Sequence, residues 1–175
     1  SVAVTIDESR ATARVGDYGK TTQVTTTAAE GLGVTSASAD KVFAIAGAIG
    51  ISTQGSAGGL AGTVGVNSAV SEALVRNATV NAADTRVEGA TSSQHISVAA
   101  AGGYGANASI NGSFVINFAT ERTTAQVNDS AVTGSTLSVK AGDDASLAAQ
   151  VYTGAGSFGF SKDVAGGAAL TSCVG

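Results

Sequence analysis

The chain contains no proline, no tryptophan and no methionine, and it has one cysteine and one histidine. Each absence excludes something. Without proline, every backbone position away from the ends can donate to a β-ladder. A lone cysteine, Cys173, cannot close a disulfide within the chain; it reads as a small buried apolar residue or as a link to another chain. One histidine and one cysteine cannot build a zinc centre. With His95 as the sole imidazole, a hydrolytic triad would still need a nucleophile and an orienting carboxylate, and no G-x-S-x-G elbow is present. His95 precedes the alternating Ile96 and Val98 and is expected to face outward from a strand.

Charge and aromatic content are also low. Charged residues make up 13% and aromatic residues 5%, with a net charge of −4. No basic patch exists to hold phosphates, which argues against nucleic acid as a partner. No stretch reaches the length of a membrane-spanning apolar helix, so membrane insertion is not expected. No signal peptide is visible and the first residue is not Met, which reads as a processed product or a piece of a longer protein.

What the chain does have is small residues. Glycine accounts for 24 of 175 positions, and Ala, Ser, Thr and Val supply much of the rest. Hydrophobic residues total 43%, too many for a disordered chain of low charge. Such a chain should fold around a thin core in which backbones approach closely.

The order of these residues repeats. Val64–Asn67 is followed by Ala73–Asn77. The same order stands earlier as Val4–Asp7 and Ala13–Asp17, and later as Val115–Asn117 and Ala125–Asp129. A second alternating run follows in each copy: Thr22–Val24, His95–Val98 and Thr136–Val139. Three imperfect repeats of about 50–60 residues result, at 1–62, 63–113 and 114–175. The middle copy holds an apparent insertion, Ala82–Ser93.

The alternations read as short strands. They include Val2/Val4/Ile6, Phe43/Ile45/Ile49/Ile51, Tyr104/Ala106/Ala108/Ile110 and Leu147/Ala149/Val151. Turns are expected at Gly16–Gly19, at Ser36–Lys41 and at Gly142–Asp144, and tight corners at Gly55–Gly62. Phe158 and Phe160 follow a Gly-rich stretch, and Ala168–Gly175 reads as the start of another turn of the pattern.

No single copy could bury a core with side chains this small, whereas stacked copies bury one another. The expected fold is therefore all-β: a parallel β-solenoid forming one domain. Coils of roughly 20–30 residues, common among solenoids, would place two or more coils in each copy. Asp7, Asn67 and Asn117 hold equivalent places in the three copies and are expected to form a structural ladder along the stack.

No catalytic, cofactor-binding or metal-ligating set emerges. Asp143 and Asp144 beside Gly142 suit a solvated turn, and the Gly/Asp nonapeptide of calcium-binding β-rolls is missing. Clustered carboxylates with aromatic sugar platforms are not evident. Gly154–Gly156 does not open a helix after a strand, as a dinucleotide site requires. The expectation is a protein that is not an enzyme and needs no cofactor. Asn77, Asn107, Asn111 and Asn128 each begin an N-x-[ST] triplet, a possible glycosylation signal in an exported chain.

Val66-Asn67, Ala73–Val75, Ala78–Val80 and Ile96–Ala100, with their counterparts in the third copy, resemble the repeats of very long secreted bacterial adhesins. These are the filamentous-haemagglutinin-like and leukotoxin-like filamentous proteins. The resemblance extends over nearly the whole chain. It implies a right-handed β-helical stalk, export to the cell surface and attachment to cells or surfaces. The expected role is a structural and adhesive stalk segment, extracellular, with Ala82–Ser93 free to contact a partner. The alternative is a filament subunit that assembles end to end by strand pairing. Expected partners are neighbouring repeats or copies of itself, and glycans or proteins of a host or another surface.

Overall fold

The computed structural model describes the backbone of residues 1–26, 31–157 and 162–174, and the side chains of residues 1–26 and 31–144. Among the described residues ten strands follow in order: β1 Val2–Val15, β2 Thr22–Thr25, β3 Leu32–Ser52, β4 Ser56–Arg76, β5 Ala78–Asn81, β6 Asp84–Gly105, β7 Ala108–Asn128, β8 Ala131–Thr133, β9 Thr136–Ser157 and β10 Lys162–Val174. They form three sheets, ordered β1-β4-β7-β10, β2-β5-β8 and β3-β6-β9. All pairings between these strands are parallel, each strand lying beside its counterpart in the next copy. The chain is a parallel β-solenoid.

Each copy makes one coil. The expectation of two or more coils per copy is corrected by strand length: β3, β4 and β7 run 21 residues each, and β6 runs 22. At about 3.3 Å per residue such strands are roughly 70 Å long. Two wide sheets face each other, and the short β2-β5-β8 sheet joins them along one side. The stretches expected to break these strands do not. Ser36–Lys41 lies within β3, Gly142–Asp144 within β9, and most of Gly55–Gly62 within β4. Polar and small residues end a strand when their backbone groups have a better partner elsewhere. Here a neighbour in register satisfies them.

The corner between each first long strand and its short strand turns on a left-handed residue: Gly16 (φ 80°), Asn77 (φ 47°) and Asp129 (φ 48°). Gly and Asn or Asp reach that region at least cost. The first coil needs a longer corner there, where Asp17 bridges to Lys20 and Gly19 is also left-handed (φ 78°). The turn expected at Gly16–Gly19 is therefore present.

Register corrects two further readings. Ala82–Ser93 is not an insertion, since its part from Asp84 onward pairs with Thr136–Ala145 on one side and, from Thr85, with Leu32–Asp40 on the other. The runs Thr22–Val24, His95–Val98 and Thr136–Val139 are not counterparts. Thr22–Val24 pairs with Ala78–Val80, His95–Val98 with Val42–Ile45, and Thr136–Val139 with Asp84–Val87. Similar composition at different depths of the coil produced the false match.

The interior is built from alternate residues of the two wide sheets. One apolar cluster fills the end beside the short sheet, with Val34, Val75, Val80 and Val87 at its centre. A second, made of Ala46, Ala61, Ala99, Ala101 and Val115, lies toward the opposite edge. A band of buried Ser, Thr and Asn, with His95 and Glu121, separates them. β10 pairs with β7 and begins a fourth coil, as expected for the tail from Ala168; Gly175 lies outside the described residues. Leu147, Ala149 and Val151 belong to β9, but their side chains lie outside the described set, as do Phe158 and Phe160 altogether. Cys173 stands beside Ala119 in the β10–β7 pairing, and its side chain is likewise not described.

Candidate functional site: a polar seam and two apolar outer faces

The buried polar band is the first candidate. Asp7 stands beside Asn67 in the β1–β4 pairing, as the ladder reading requires. Asn117 does not continue that column. It stands beside Gly65, while Asn67 stands beside Ala119. A slip of two residues keeps a side chain on the same face of a strand, so Asn117 still points inward, fully buried, and its Oδ1 accepts a hydrogen bond from Ser97 Oγ at 2.7 Å. The three residues thus share the interior without forming one ladder.

His95 is also interior, with 0% of its surface exposed, which corrects the expectation that it faces outward. Its neighbour across the core is glycine for a reason. A Cβ on Gly65 would come within 2.3 Å of His95 Nε2 and 2.8 Å of Asn117 Oδ1. Neither ring nitrogen has a hydrogen-bond partner among the described residues, and the same holds for Thr63 Oγ1 and both amide atoms of Asn67. Burial pushes the imidazole below its ordinary value, and the nearby Asp7 carboxylate opposes this in part. Burial, with the Asp7 carboxyl next to it, raises Asp40 above the usual carboxylate range. Further along the seam, Ser71 Oγ donates to the Ser36 carbonyl at 2.9 Å, and Ser93 Oγ donates to buried Glu121. The seam is a set of sequestered polar contacts between two sheets. Among the described residues, no three His, Cys, Asp or Glu side chains group to hold a metal.

The outer faces are the second candidate, and they divide sharply along the strands. No Asp, Glu, Lys or Arg occurs from 42 to 71 or from 89 to 120. In register, these runs leave uncharged the half of β3, β4, β6 and β7 that flanks the turns linking β3 to β4 and β6 to β7. The outward side chains there are large and apolar. Phe43 is 63% exposed, Ile49 83% and Ile51 74%; Leu60, Ile110 and Phe118 project from the opposite face. The strand reading of the Phe43/Ile45/Ile49/Ile51 alternation is thus correct, and these residues line the outside.

In the other half, charges sit near the short sheet. Arg10 pairs with Glu72 at 2.9 Å and Arg86 with Glu88 at 2.5 Å, and the Arg76 guanidinium lies 4.0 Å from the centre of the Tyr18 ring. Of the four glycosylation triplets, Asn111 is buried, and its Nδ2 donates to Ser109 Oγ at 2.8 Å. It is not placed to carry a glycan. Asn77 spends its side chain on the Asp17 carbonyl at 2.9 Å.

No protein-family model, curated protein or solved structure matches the chain.

Sequence reasoning missed both the seam and the apolar faces. The uncharged runs were present as a signal, but their meaning depends on register, which brings 42–71 and 89–120 to the same depth of successive coils.

Proposed function

We propose that the chain is a structural and adhesive stalk segment of an extracellular bacterial filament. The observation that supports this is the lengthwise continuity of the two wide sheets. Backbone hydrogen bonds of parallel pairing run along the stack through every coil. A load applied along the axis is then shared by some 20 residues of ladder per strand pair instead of the handful that a narrow coil offers. The side chains on the outer surfaces remain free for contact with other molecules, and weak side-chain chemistry suits a role that is mechanical. Antibodies raised against this chain should label intact cells and decorate extended surface fibres. Labelling that appears only after cell lysis overturns the reading.

A second reading, a subunit that assembles end to end, is favoured by one observation. In the isolated chain β1, β2 and β3 are the outermost strands of their sheets, and one edge of each lacks a neighbour. Such edges template strand addition. A proline at Val4 should block growth at that end, because Ser1 O accepts from Gly62 N and the alternate residues of β1 therefore turn their N–H groups to the open edge. Growth that proceeds unchanged in this variant removes the reading.

A further inference from the structure

We propose that two copies of the chain pair face to face through the uncharged half of the β3-β6-β9 outer surface, with Ile49 of each copy seated in a hollow of the other. This goes beyond the stalk reading and does not depend on it. Ile49 is 83% exposed on that face. Beside it lies an open hollow lined by Gly47, Ala100 and Gly102 together with Ile49 itself. A Cβ on Gly47 would meet nothing closer than the Ala100 carbonyl oxygen, at 4.0 Å, so the hollow has room to spare. A knob next to a hole on one surface is self-complementary: a two-fold axis between them places each knob in the partner's hole. Phe43, Ile45, Ile51 and Tyr104 surround the pair as an apolar and aromatic frame.

Charge points to the same occupant, and area sets the strength of the pairing. The chain carries a net charge of −4, but the charged side chains lie outside this half, so pairing here brings no carboxylates together. The strip is roughly 36 Å long and about 14 Å tall for three strands, on the order of 500 Å² on the flat. Stable pairs bury about 800 Å² per partner. A three-coil chain should therefore pair weakly, and each further coil adds contact. A lipid bilayer suits the face less well, because the unpaired edge of β3 would be left in hydrocarbon. The opposite outer face also exposes Leu60 and Ile110, but there β10 sets the charged residues Lys162 and Asp163 beside Ala108 and Ser109, and the Phe114 ring covers Gly62.

The test is sedimentation equilibrium of the chain over a wide concentration range, with circular dichroism to confirm the β-fold of each variant. A monomer–dimer equilibrium is expected. Ile49→Lys should weaken it at least tenfold, and Gly47→Phe, which fills the hollow from open space, should do the same. Thr35→Lys, on the same outer face but in the charged half, should leave it unchanged. Three results overturn the proposal. One is a monomer at all concentrations. Another is association that survives Ile49→Lys, as end-to-end growth would. The last is binding to neutral phosphatidylcholine vesicles that Ile49→Lys abolishes, which makes the face a lipid surface.

Discussion

The two halves of each coil solve the same packing problem in opposite ways. Near the short sheet, β2, β5 and β8 hold the wide sheets apart. Valines fit between them, and charges go outside in pairs. Toward the other edge the sheets close together. A Cβ on Gly59 would come within 2.8 Å of the Gly102 carbonyl oxygen, and one on Gly50 within 2.4 Å of that of Gly58. Mostly Ala, Gly, Ser and a few polar side chains fit inside, with Val115 and Val42, while Phe43, Ile45, Ile49 and Ile51 stand outside. The spacing of the sheets, and not hydrophobicity alone, decides which residues form the core.

That comparison can be broken at its strongest point first. Val80→Asp places an unpaired charge in the valine cluster and should cost at least about 3 kcal/mol, read as a collapsed urea midpoint. In the closed half, Gly65→Ala drives a methyl into His95 and Asn117 and should cost about 1–3 kcal/mol. Gly62→Ala, which meets only the outward Phe114 ring, should cost less in the same titration. At the corner, Asn77→Ala loses a residue suited to the left-handed backbone and should cost about 1–2 kcal/mol, while Asn77→Gly keeps the backbone fit, loses only the exposed hydrogen bond to the Asp17 carbonyl and should cost less.

Acid should act through the seam. His95 has a folded pKa lowered by burial, so below its unfolded value near 6.5 the unfolded chain binds the proton first. Its contribution to stability is full above that pH and is lost as pH falls toward the folded value. Asp40 works in the opposite sense: its pKa is raised, so its contribution is full below the unfolded value of 3.8 and is lost as pH rises through the folded one. Comparing the chain with His95→Gln isolates the histidine. The difference in stability against pH should bend near 6.5, and a flat difference would mean that burial does not perturb this group. The smallest effect is expected on the outer face of the closed half: Ile49→Ser should change stability by no more than about 0.5 kcal/mol, because the side chain it shortens is already in solvent.

Much of the coil was readable in advance where local chemistry and register agree. Ala13, Ala73 and Ala125 were matched from their order alone, and they stand side by side in the structure, as do Val15, Val75 and Val127. The same match set Asp17 beside Asn77 and Asp129, but the left-handed corner of the first coil falls one residue earlier, on Gly16. The reading failed where composition repeats without position. Asn117 was aligned two residues away from its real neighbour, and the run from His95 was matched with Thr22–Val24 of another sheet and with Thr136–Val139 at a different depth of its own.

What the residues determined by themselves is the alternation and the period: strands with two distinct faces, and no proline to interrupt a ladder. They did not determine which face is inside. Val42, Ala44 and Ala46 alternate with Phe43, Ile45 and Gly47, and a rule that hides the larger apolar side chains would choose the wrong set. That choice belongs to the tertiary structure, because the distance between the facing sheets sets the volume available, and in this half the backbones approach closely enough that Ala44 and Ala46 fit inside while Phe43 and Ile45 stand outside.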